Sequence, residues 1–233
     1  MSSTIETEAL LLGRVLYGER DIVLTLLTRD AGLVQALARG ARGSRKRFGE
    51  ALDLFVVFAG RLVSRQGAGL WSLVEAEPVR QFPRILESLE RLEAGQEAIV
   101  VARDLLRDAP AGRSAWDHVL SGFSRLDASP DGLAHRAVLT LCLDLVADLG
   151  HPLAGTICPD CRRPYPEGER RILSGNGGLL CTACGAGPGG VSIPERLARV
   201  LETGGDAADR TDVTELVAAI RAAILPRGAA PTS

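Results

Sequence analysis

The run ALLLGRVLYGERDIVLTLLT at residues 9–28 decides the fold. Ala9 to Leu12 and Val15 to Tyr17 make one apolar segment, Tyr17-Gly18-Glu19-Arg20-Asp21 is a turn, and Ile22 to Thr28 is again apolar with β-branched members. Such side chains suit a pleated surface, and Gly beside Asp is turn chemistry. The reading is two strands joined by a turn.

Working outward, Asp30-Ala31-Gly32 is a second turn and Leu33 to Ala38 a third strand. Ala51 to Ser64, interrupted by Gly60, reads as a longer fourth strand, and Gly69 to Glu77 closes the set before Pro78. Five short strands separated by Gly and Asp turns suggest a small barrel. A five-strand open sheet is the alternative.

After Pro83 the period changes from two to that of a helix. Leu89, Leu92, Ile99 and Leu106 recur at helical spacing, and Ser114 to Leu126 suggests a second helix. Leu139, Cys142, Leu143 and Val146 follow the i, i+3, i+4, i+7 pattern, with Leu141 and Leu145 on a further apolar face, so that helix is expected at the centre of its domain. Cys142 is read as core. Residues 155–190 break the pattern with many glycines and two cysteine pairs. Ser192 and Glu195 then have capping-box spacing with Pro194 between them, and Val213, Leu216, Val217, Ile220 and Ile224 mark a last amphipathic helix. The closing RGAAPTS reads as a frayed tail. The expected domains are residues 1–80 and 81–233, the second carrying an insertion at 155–190.

The 233 residues are 46% apolar and 24% charged, enough to bury a core, and the formal net charge of −2 means that any nucleic-acid surface is a local patch. The start, MSSTIETEAL, lacks a basic region followed by an apolar core, and no apolar run approaches the roughly 20 residues needed to span a bilayer. The expectation is an intracellular protein whose thiols stay reduced.

Cys158 and Cys161 lie in CPDC, and Cys181 and Cys184 in CTAC, with nineteen residues between the pairs. That spacing matches a four-cysteine zinc site. Each C-x2-C turn brings two thiolates to one ion. Two turns complete a tetrahedron with no open position for substrate water, which makes the zinc structural. The insertion has few large apolar residues, so metal ligation can order what packing cannot. His151, before Pro152, reads as a helix-end histidine, and nothing marks His118 or His135 as catalytic.

Arg39, Arg42, Arg45, Lys46 and Arg47 fall within nine residues, and no acidic residue occurs between Asp30 and Glu50. With Gly40, Gly43 and Gly49 among them, the segment reads as a flexible excursion between strands three and four. Guanidiniums pair with phosphates and stack on bases, which suits a nucleic-acid backbone. GARGSRKR fails the spacing of a nucleotide-binding phosphate loop and does not open a clear helix. Tyr17 and Trp71 can stack bases, although core packing is the expectation for at least one of them. No Ser-His-Asp set, dinucleotide turn or spaced acidic pair stands out, which favours a binding module over an enzyme.

Together these parts resemble the bacterial recombination mediator family RecO, over roughly residues 7–203. The matching motifs are E-A-L-L-L at 8–12, Y-G-E-R-D at 17–21 followed by V-L-T-L-L-T at 23–28, A-R-G-A-R at 38–42, Ser44, and A-L-D-L-F at 51–55. The resemblance implies an α+β multidomain chain: an N-terminal OB-fold β-barrel, then an α-helical domain with a four-cysteine zinc-knuckle insertion. It implies binding of single- and double-stranded DNA and annealing of complementary strands. It further implies work with RecR to load RecA onto DNA coated by single-strand-binding protein, and a cytoplasmic, nucleoid-associated location. The acidic, apolar-ended tail of single-strand-binding protein is expected on the helical domain, where segments 84–126 and 192–225 offer apolar and arginine residues. The rival readings are a zinc-ribbon transcription or translation factor and a zinc-stabilised enzyme.

Overall fold

Residues up to Gln81 supply five strands that close on themselves: β1 (Ser2–Tyr17), β2 (Asp21–Thr28), β3 (Gly32–Ala38), β4 (Val56–Arg65) and β5 (Trp71–Gln81). In the computed structural model the described residues are 2–65, 69–107, 112–151, 153, 155–175, 178–187, 189–203 and 208–225, with the side chains of Ser2, Arg45, Lys46 and Arg65 outside the description. The tail RGAAPTS lies outside the described residues. The strand order is β1-β2-β3-β5-β4, and β4 returns to pair with β1, from Ser2↔Arg65 to Leu10↔Val57. All neighbours are antiparallel except β3 and β5, which pair in parallel at Ala36↔Trp71 to Ala38↔Leu73. This closed ring is the OB arrangement, so the barrel and not the open sheet is the outcome.

Side-chain alternation along each strand fills the barrel. Ala9, Leu11, Leu24, Leu26, Ala36, Phe58 and Leu62 are buried in one interior cluster, and Trp71 packs against it. Leu10 and Leu12 are equally buried although they point the other way. Their face is covered by α2 (Leu89–Leu105), which packs on β1. That double burial explains the unbroken apolar run in the sequence. A register shift between Leu11 and Gly13 bends β1, letting one long strand serve two neighbours.

The fourth strand begins at Val56, not at Ala51. Residues 49–55 are turns, and Ala51 and Leu52 join the interior cluster from there. Phe55 adopts a left-handed backbone (φ 61°). Its carbonyl accepts the Phe82 N–H (3.1 Å), and its ring lies 5.7 Å from Phe123 of α3 (Arg113–Ala128). The same ring explains a glycine inside α2. A Cβ on Gly95 would stand 2.8 Å from Phe55 and 2.9 Å from Ile85. The roughly 1 kcal/mol that glycine costs a helix interior is offset by this close approach.

The chain divides into two compact units, Met1–Ala128 and Ser129–Ser233. The change from strands to helices falls after Gln81, yet α2 and α3 belong with the barrel because Phe55, Phe82 and Phe123 form one aromatic group. The second unit holds α4 (Ala134–Asp148), α5 (Glu195–Glu202) and α6 (Arg210–Ile224), with a small sheet ordered β7-β6-β8. These strands are β6 (Arg171–Leu173), β7 (Leu179–Cys181) and β8 (Val191–Ile193). Cys142 is fully buried in α4, as its stripe requires. The His151 N–H donates to Val146 O (3.0 Å) just past the end of that helix.

The capping box does not form. Ser192 is drawn into β8 opposite Ile172, and its Oγ accepts from Arg170 Nε (2.8 Å). Pro194 takes the cap position of α5 with no side-chain cap. No helix among the described residues is long and apolar enough to cross a membrane.

Candidate functional site

Cys158, Cys161, Cys181 and Cys184 converge, with their four Sγ atoms within 4.8 Å of one another. Cys161 Sγ and Cys181 Sγ, from different pairs, are 3.9 Å apart. Each pair sits on the same kind of turn. The Arg162 N–H donates to Cys158 O (2.9 Å), and the Gly185 N–H donates to Cys181 O (2.8 Å). Cys158 N–H closes the first turn on Arg163 O (2.9 Å), beside an Ile157↔Pro164 bridge, and Arg162 takes a left-handed backbone (φ 61°). In the second turn glycine is obligatory. A Cβ at Gly185 would lie 2.4 Å from Ile172.

Charge at the cluster is uneven. Burial pushes the Cys158 thiol up, but backbone N–H groups of Cys161, Cys181 and Asp160 point at it and bring it down to about 6. Cys184, hydrogen-bonded to the Cys181 sulfur and crowded by the other thiols, is pushed up to about 12. Four thiols this close cannot all ionise without a cation among them. A convergent all-sulfur set of this kind can hold one metal ion.

Beside the cluster lies a group that spacing does not reveal. Tyr165 donates its hydroxyl to Leu179 O, and the Arg171 guanidinium sits 4.1 Å over its ring and pairs with Glu202 (2.6 Å). Arg171 is almost wholly buried, a costly place for a charge unless it is paired. Burial and the nearby Cys158 thiolate together push the Tyr165 hydroxyl up to about 12. The trio ties both cysteine turns to α5. The signal for it is an arginine at an inward position of a short strand.

Between β3 and β4 the basic segment holds two short helical turns. Ala41–Gly43 forms a 3-10 turn and Arg45–Phe48 a single helical turn, α1. Phe48 enters the interior cluster of the barrel, so the segment carries its own anchor. Three hydrogen bonds moor it to the β1–β2 turn. The Gly40 N–H donates to Asp21 Oδ1 (2.8 Å), the Arg42 N–H to Arg20 O (3.3 Å), and Arg42 Nη1 to Glu19 O (3.0 Å). Arg47 braces the segment from within. Its Nη2 donates to Arg39 O (2.6 Å), its Nε to Ser44 Oγ (3.0 Å), and its guanidinium lies 5.1 Å from the Phe48 ring centre. Arg39, Arg42 and Arg47 are exposed, whereas the side chains of Arg45 and Lys46 lie outside the described residues.

The opposite end of the barrel has the opposite sign. A groove of about 590 Å³ there is lined by Glu6, Glu8, Asp30, Glu75 and Glu77, with Arg29 and Arg61 as its cations. Arg29 pairs with Glu8 (3.1 Å) and Arg61 with Glu75 (2.9 Å), which leaves the acids in excess.

Comparison with known proteins decides the family. Residues 1–82 match the model for the recombination protein O N terminal domain. DNA repair protein RecO of Anaeromyxobacter dehalogenans (strain 2CP-C) is 36% identical over 183 residues, 78% of this chain and 71% of that protein. The chain belongs to the RecO family. DNA repair protein RecO of Geobacter sulfurreducens is 33% identical over 181 residues, covering 78% of this chain and 73% of its own length. That of Anaeromyxobacter sp. (strain Fw109-5) is 33% identical over 192 residues, covering 81% and 74%. The matched N-terminal region of this RecO-family chain contains the whole barrel and the basic segment.

Proposed function

We propose that this chain is a non-enzymatic mediator of DNA repair by homologous recombination. It binds single- and double-stranded DNA, anneals complementary strands and, with RecR, helps RecA load onto DNA coated by single-strand-binding protein. One observation carries the reading: an arginine-rich segment is pinned to the turn end of an OB barrel by Phe48 below and by the Tyr17–Asp21 turn beside it. A pinned cationic ridge can track a phosphate backbone without ordering itself first, and phosphates carry no sequence information. Arg39, Arg42, Arg45 and Lys46 would meet phosphates, while Arg47 spends part of its donor set holding the segment together. The tail of single-strand-binding protein would dock on the helices beyond the barrel. A cytoplasmic, nucleoid-associated location follows from this role.

Cys158, Cys161, Cys181 and Cys184 would hold one structural zinc ion. Sulfurs about 2.3 Å from a tetrahedral zinc lie roughly 3.8 Å from one another, and the Cys161–Cys181 separation of 3.9 Å fits. Zinc supplies charge compensation and a crosslink between the two turns, and with all four sites taken by sulfur it leaves no position for substrate.

The test is annealing of complementary strands coated with single-strand-binding protein, without ATP, by the parent chain and by a variant with Arg39, Arg42, Arg45 and Lys46 changed to Ala. Parent annealing and its loss in the variant are expected. If four cations meet phosphates, the log–log salt slope for single strands is roughly −3, at about −0.7 per contact, and the variant flattens it. Unchanged annealing and slope would move the DNA surface elsewhere.

A further inference from the structure

Three consecutive residues at the end of β1 are bare: Val15, Leu16 and Tyr17 are 62%, 61% and 63% exposed. Neighbouring side chains in a strand point to opposite faces, so in a barrel wall one of each adjacent pair is buried. Here neither is. Pairing nevertheless continues to the tip, through Val15↔Val23, Leu16↔Ile22 and Tyr17↔Asp21. On the β2 side Ile22 and Val23 stay paired with β3, and Ile22 is buried in the interior cluster, so it is the β1 edge of the hairpin, from Val15 to Tyr17, that stands clear of the barrel with apolar side chains on both faces.

The basic segment is moored to this same hairpin. Arg42 reaches Glu19 O and Arg20 O, and Gly40 reaches Asp21. An exposed aromatic tip and a row of guanidiniums are therefore parts of one hydrogen-bonded assembly. Trp71, the other aromatic of the barrel that could meet a base, packs against the interior cluster instead. A ligand that satisfies both halves of the assembly needs regular negative charge and open π-faces.

We propose that Tyr17, flanked by Val15 and Leu16, is a stacking platform for unpaired nucleobases. The proposal rests on the reading of the basic segment as a phosphate-binding ridge, and it adds a selectivity which that ridge lacks. Phosphates are present in every form of DNA, whereas base faces are open only in a single strand. Duplex bases are already stacked on one another. The platform thus makes single strands the preferred ligand and leaves base identity unread, because every base has a π-face.

Fluorescence anisotropy of the full chain tests this, with three labelled probes: oligothymidine, the same strand carrying abasic sites, and a blunt duplex. Tyr17→Ala should weaken oligothymidine binding roughly tenfold or more. It should leave the abasic and duplex probes unchanged, keep the salt slope, and be rescued by Tyr17→Phe. Parent-like oligothymidine binding by Tyr17→Ala would overturn the platform, as would an equal loss on all three probes. So would unchanged DNA affinity accompanied by loss of a protein partner. A variant with Arg39 and Arg42 changed to Ala reports on the underlying reading, since it should weaken all three probes and flatten the slope. If that variant weakens none while Tyr17→Ala still weakens oligothymidine alone, the platform stands and the phosphate assignment falls.

Discussion

Asp21 is an acid among arginines, and its role separates two simple expectations. By Coulomb's law alone, removing it would make the turn end of the barrel more positive and tighten its grip on phosphate. Its Oδ1, however, accepts the Gly40 N–H at the point where β3 hands over to the basic segment. Gly40 is in a left-handed conformation there (φ 65°), so the chain reverses at that bond. Asp21→Ala should therefore weaken single-strand binding several-fold, because an unmoored ridge must be ordered at the moment of binding. Thermal stability should fall by about 1.5–3 kcal/mol, the worth of a hydrogen bond to a charged acceptor. Anisotropy and thermal melts on the same sample decide the matter, and tighter binding would show that the mooring is irrelevant. The turn from Tyr17 to Asp21 is readable in a sequence. The partner of its aspartate is not, because Gly40 lies nineteen positions further on, across a whole hairpin.

At the scale of elements, the cysteine turns and the three-stranded sheet behave as one unit. Its apolar content is small: Leu173, Leu179, Leu180 and Ile193 are its buried aliphatics. Ligation worth about 10–16 kcal/mol in isolated zinc-finger peptides is large against so little packing. Chelation should abolish hydrogen-exchange protection in β6, β7 and β8 and leave the amides of the barrel strands protected. Acid should do the same. The Cys158 thiol is lowered to about 6, so its thiolate contribution is complete above the ordinary thiol range and is lost as pH falls through about 6, where protons also compete for the metal. Metal release followed with an indicator dye should rise as pH drops below about 6, and retention at about pH 4 would contradict it. Uptake at neutral pH should expel protons, Cys184 supplying one because its thiol is pushed up to about 12. The knuckles are legible from spacing because C-x2-C admits few geometries. The S-x-x-E pattern at 192–195 misleads because a three-residue strand claims Ser192 first. The stretch Ala51–Ser64 looks like one strand because its apolar content is continuous, yet Phe55 breaks it with a left-handed backbone that only the contacts with Phe123 and Gly95 explain. Local pattern cannot see a partner so far along the chain.

For the whole molecule, the two compact units meet in sequence at Ala128 and Ser129, well after the last barrel strand. A fragment of residues 1–81 would expose Phe55 without Phe123 and Gly95, and would leave Leu10 and Leu12 without α2. A fragment of residues 1–128 keeps all of these. The longer fragment should melt cooperatively and bind oligothymidine, while the shorter one should aggregate or melt without a clear transition. Cooperative folding of residues 1–81 would show that α2 and α3 are dispensable. The signs of charge within the barrel unit have a consequence of their own. The basic segment adjoins the start of β2 and the acidic groove adjoins its end, about 23 Å away at 3.3 Å per residue. A unit charged in this way is an electric dipole directed along its own strands. In the field of a polyanion it feels a torque as well as a pull, and it turns its hairpin tip forward before contact. Low ionic strength should therefore speed association more than net charge alone accounts for, since the molecule as a whole carries a formal charge of only −2.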